Sequence, residues 1–89
     1  MNSGSEFKIA LMLTVRPGDV KEISADEVRQ RLAGRIHPHV IEVATEAAGA
    51  RFWRFGEKVF FDDPEEESPI AFEDLRYNSD LGLHSIDEV

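Results

Sequence analysis

Apolar positions along the chain change their spacing from one segment to the next, and the spacing predicts the elements. Val28 and Leu32 stand four apart behind Ser24-Ala25-Asp26-Glu27. That tetrad has the form of a capping box, in which the serine hydroxyl accepts from the third helical amide and the glutamate reaches back to the serine amide. Residues 24–33 are therefore expected to be helical, with Gly34 supplying the left-handed end. Arg51-Phe52-Trp53-Arg54-Phe55, Gly56-Glu57 and Lys58-Val59-Phe60-Phe61-Asp62 read instead as two strands joined by a two-residue turn, glycine first as type II′ requires. The turn sets a register pairing Phe55 with Lys58, Arg54 with Val59, Trp53 with Phe60, Phe52 with Phe61 and Arg51 with Asp62. Each ribbon face then carries an aromatic pair. A two-stranded ribbon cannot hide both faces unaided. One is expected to pack on Val28 and Leu32, the other under the C-terminal segment, with Phe72 and Leu75 inserted, or under a partner.

Two segments fit two periods. Ile41, Val43, Thr45 and Ala47 alternate as in a strand, while Val40, Val43, Ala44, Ala47 and Ala48 form a helical stripe. Pro38 suits a first helical position and Gly49 an end, so helix is the preferred reading of 39–48. Ile9 to Val15 fits either a buried strand or a first helix. The run is far shorter than the roughly 20 residues that cross a bilayer, and no membrane association is expected. Gly4-Ser5-Glu6-Phe7 resembles translated cloning sites, so residues 1–7 are set apart and the domain is expected to span 8–77. Residues 62–69 read as a loop because proline and like charges oppose regular structure. Ser68-Pro69 is expected to open a short helix through Tyr77, and 78–89 to form a mobile acidic tail.

With 89 residues, the chain holds one domain. Leu, Ile, Val and Phe make up 25 of the 89, enough for a thin core. The fold class expected is α+β, a small single domain of two to three helices with a β-hairpin and an acidic C-terminal extension. There is no cysteine. Disulfides and thiol chemistry are thereby excluded, and a cytoplasmic setting is the expectation.

Helix, short strand, helix 24–33, turn, helix 38–48 and hairpin, in that order over residues 8–62, resemble a winged helix-turn-helix domain. The stretch Ala48-Gly49-Ala50-Arg51-Phe52-Trp53-Arg54-Phe55-Gly56-Glu57-Lys58-Val59-Phe60-Phe61 stands where the wing would be. The resemblance implies nucleic-acid contacts from His39, Thr45, Arg54 and Lys58. On that helix, however, Glu42 and Glu46 would face phosphates, and residues 1–61 lack a basic stripe.

The charge distribution moves the reading towards proteins. The net charge of −8 is the sum of +1 over residues 1–61 and −9 over 62–89. Such an acidic block repels polyanions and attracts basic surfaces. The preferred function is a non-enzymatic protein-interaction or regulatory module. Its expected contacts to a basic partner are Trp53, Phe55, Asp62, Asp63, Glu65, Glu66 and Glu67, with nucleic-acid binding the alternative and a small metal-dependent or acid/base enzyme third. Arg29, Arg31, Arg35, Arg51 and Arg54 are expected to pair with neighbouring acids. No cofactor or metal is expected, because Pro38 separates His37 from His39, His84 is far downstream, and no third ligand lies at a useful spacing. The carboxylates of 62–67 sit in a loop without the desolvated pocket that acid/base catalysis needs, and the glycines do not form a phosphate-binding loop.

Overall fold

The computed structural model describes residues 4–64 and 68–86. Helix α1 (Gly4–Leu13) is followed by strand β1 (Lys21–Ile23), helices α2 (Ala25–Leu32) and α3 (Pro38–Glu46), and strands β2 (Arg51–Phe55) and β3 (Lys58–Asp62). Strands β4 (Ile70–Ala71), β5 (Leu75–Asn78) and β6 (Gly82–Ser85) complete the α+β domain. Antiparallel pairing orders one sheet β1-β2-β3-β4, and β5-β6 forms a second, two-stranded sheet.

Local chemistry explains the termini. The Ser24 hydroxyl accepts from the Glu27 amide and starts α2. His37 caps α3, its Nδ1 accepting from the His39 amide at 3.1 Å, with Pro38 in the first turn. The β2–β3 turn places only its first central residue, Gly56, at positive φ (58°), and the cross-strand pairs from Arg51–Asp62 to Phe55–Lys58 occur in the expected register. Residues 9–13, left open between strand and helix, are helical.

Both faces of the hairpin are covered, by different parts of the chain. Phe52, Val59 and Phe61 bury against Val28 and Leu32 of α2 and Val40, Ile41 and Ala44 of α3. Phe72 joins the same side, its ring 6.4 Å from Phe52 and 6.1 Å from Phe61 between centroids. Leu75 belongs there too. On the opposite face Trp53 and Phe60 bury against Ile9 and Ala10 of α1 and Val20.

The structure thereby corrects three expectations. Phe72 and Leu75 lie on the face shared with α2 and α3, not across the second aromatic face, which α1 occupies instead. Residues 70–77 form β4, a 3-10 turn at Phe72–Asp74 and β5 in place of a short helix. Residues 78–85, expected in a tail, complete β5 and form β6. The Asn78 Oδ1 accepts from the amides of Asp80 and Leu81, a turn that lets β6 return along β5 and buries His84. Gly4–Phe7, set apart in the sequence, form the first turns of α1, and the Ser5 hydroxyl donates to Asp62.

Candidate interaction surface

The residues expected to meet a partner divide sharply in this fold. Trp53 is only 3% exposed, so it is a core residue and not a surface anchor. Hairpin alternation supplies each face with an aromatic pair, and α1 rather than a partner covers this one. Phe55 is half-buried at the edge of the same cluster. Asp62 and Asp63 are also half-buried, the former taken up by Ser5. Glu65, Glu66 and Glu67 lie outside the described residues.

The arginines are largely committed within the chain. Arg29 pairs with Asp26 and Arg31 with Glu27 along α2, both at 2.7 Å. Arg35 reaches from the α2–α3 turn to Glu57 at the hairpin tip. Arg51 donates to both carboxylate oxygens of Glu22 and also lies 4.9 Å above the Trp53 ring. This pairing holds the Glu22 carboxyl below its ordinary range, the Arg51 hydrogen bonds being the largest cause, and raises the Arg51 guanidinium correspondingly.

The residues proposed for nucleic acid are similarly divided. Lys58 pairs with Glu73 at 3.1 Å. Thr45 donates its hydroxyl to the carbonyl oxygens of Ile41 and Glu42, so it serves its own helix. His39 is exposed, with its ring edge-on to Tyr77 at 4.7 Å. Arg54 has no ion-pair partner among the described residues, and directly opposite it on β1 stands Lys21, also without one. Like charges so placed repel. Lys21 escaped the sequence reading because its pairing to β2 depends on where β1 docks, which the hairpin pattern does not specify.

A different surface brings apolar and charged groups together. Between α2 and α3 an open depression is lined by Ala33, Ile36, Pro38 and Ile41, with Arg29, His37, His39, Glu42 and Glu46 also along it. Glu42 and Glu46 are exposed, one helical turn apart. Arg29 is held by Asp26 and Glu42 lies 3.8 Å from the His39 ring, so Glu46 is the carboxylate of this rim with no ion-pair partner among the described residues. The signal was present in sequence, since Glu42 and Glu46 stand out against the apolar stripe of α3. The same two acids that would oppose phosphate suit a basic segment. Among the described residues there is no cluster of metal-ligating side chains, and no helix is long and apolar enough to cross a membrane. Comparison with protein-family models, curated proteins and solved structures yields no match.

Proposed function

We propose that the domain is a non-enzymatic protein-interaction module that receives a basic, partly apolar segment of a partner in the α2–α3 depression. The observation that carries this reading is the placement of exposed Glu42 and Glu46 over an apolar floor, while five cations, Arg29, Arg31, Arg35, Arg51 and Lys58, are held in ion pairs. Apolar contact would supply affinity, and the acids would steer approach and fix orientation. Steering of this kind weakens with salt, the screening length being about 8 Å at physiological ionic strength.

A second reading, a winged-helix-like nucleic-acid binder, is favoured by the helix, strand, helix, helix, hairpin order and by the cations Lys21 and Arg54, which have no ion-pair partner among the described residues. It places phosphates beside β1 and β2 rather than on α3. Fluorescence anisotropy separates the two, using a labelled helical peptide of alternating lysine and leucine faces and a labelled DNA duplex. The protein-binding reading expects the peptide to bind and Glu42→Lys with Glu46→Lys to weaken it by at least about tenfold, or about 1.4 kcal/mol. Tight duplex binding abolished by Lys21→Glu with Arg54→Glu, with no response to the α3 changes, would establish the second reading instead.

A further inference from the structure

Helix α1 is apolar on two sides. Ile9 and Ala10 face Trp53 and Phe60, yet Phe7, Leu11 and Met12 on the other side are 59%, 83% and 53% exposed. Together they leave on the order of 400 Å² of apolar side chain uncovered, taking about 200 Å² for each large side chain. An exposed apolar patch of this size commonly marks an interaction face. We infer that a second copy of this chain covers the outer face, through an antiparallel pairing of α1 with its counterpart.

Shape and charge on the same patch support self-pairing. Beside Leu11, at the C-terminal end of α1, lies a shallow hollow lined by Ala10, Leu11, Thr14, Val15, Arg16 and Asp19. Phe7 projects from the N-terminal end. An isologous contact requires knob and hollow on one surface, placed on opposite sides of a two-fold axis. Phe7 and Thr14 are equally far from a centre between Ala10 and Leu11, so an antiparallel pair sets each Phe7 over the other copy's hollow and brings Leu11 to the axis. Two copies, each of net charge −8, then meet through a helix whose two charged residues, Glu6 and Lys8, cancel. Because α1 lies across the sheet from α2 and α3, the pairing leaves the α2–α3 depression open.

The contact buries roughly 800 Å² of exposed apolar side chain over both copies, below the ~1,200–2,000 Å² of tight complexes, so a dissociation constant on the order of micromolar is expected. Sedimentation velocity of the full chain from about 5 to about 500 µM covers that range. A reversible monomer–dimer equilibrium should appear. Leu11→Glu should weaken it by at least about tenfold while leaving unchanged the thermal midpoint measured below the dissociation constant, where both proteins are monomers and Leu11 is outside the core, and Leu11→Gln should act in the same direction. Leu81→Glu, an exposed apolar position in the β5–β6 turn, should leave it unchanged. A monomer across the whole range would overturn the inference, as would a dimer weakened by Leu81→Glu but indifferent to Leu11. So would a monomer that sediments with phosphatidylcholine–phosphatidylglycerol vesicles in a Leu11-dependent way, which would assign the face to lipid.

Discussion

Arg51 grips Glu22 across the β1–β2 step, donating from Nε and Nη2 to the two carboxylate oxygens at 2.9 and 2.8 Å. The bidentate pair ties β1 to β2 through side chains and engages the guanidinium that lies over the Trp53 ring.

The pair also has a pH signature. The carboxyl of Glu22 is held below its ordinary value of 4.5 when folded, so the stability it contributes is present above that value and is lost as pH falls through the lowered one. Both side chains are nearly half exposed, so Glu22→Gln should cost no more than about 1 kcal/mol at neutral pH. Urea denaturation of both proteins should show this difference shrinking towards zero at acidic pH. A difference that persists at the lowest pH would assign it to packing.

Trp53 tests the face covered by α1. Its indole Nε1 is buried with no hydrogen-bond partner among the described residues, an arrangement that costs about 1–3 kcal/mol. Trp53→Ala should lose about 3–5 kcal/mol, as large-to-small core changes do. Trp53→Phe keeps an aromatic body and deletes the unpaired donor, so its loss should stay within about 1.5 kcal/mol. Denaturation followed by circular dichroism measures both, and equal losses would show that the N–H carries no penalty.

Thr14 holds φ at +61° where α1 ends. The Val15 amide reaches back to the Ala10 carbonyl and the Thr14 amide to that of Leu11, a C-terminal motif that normally places glycine at this position. A β-branched residue is strained there. Thr14→Gly should therefore raise stability by about 0.5–1 kcal/mol, against the usual expectation that glycine loosens a fold. A lowered melting temperature would show that the Thr14 side chain contributes more than the strain costs.

Legibility in the sequence followed the range of the interactions. The Ser24 capping box and the Gly56 turn act within a few residues, so α2 and the hairpin register are legible directly, while Pro38 only tips residues 39–48, which fit two periods, towards helix. What covers Trp53 and Phe60 could not, because alternation shows that a face is apolar and not which distant segment lies on it. The β5–β6 hairpin was hidden by the acidic bias around it, although Asn78-Ser79-Asp80-Leu81-Gly82 contains turn chemistry. The acidic rim on α3 was visible, but charge counted by segment drew attention to 62–67.

The β5–β6 hairpin supplies its own check. Leu75 is 2% exposed within the main cluster, so Leu75→Ala should cost about 2–5 kcal/mol. Loss of stability below about 0.5 kcal/mol, measured by urea denaturation, would return this segment to the status of a tail.

The most direct measurement of the proposed function is an amide chemical-shift titration of the whole chain with the lysine–leucine peptide. Shifts should concentrate on residues 33–46, including Ile36, Glu42 and Glu46, and fade as salt is raised. No shifts there, or shifts confined to the strands around Lys21 and Arg54 and produced by a DNA duplex rather than the peptide, would contradict it.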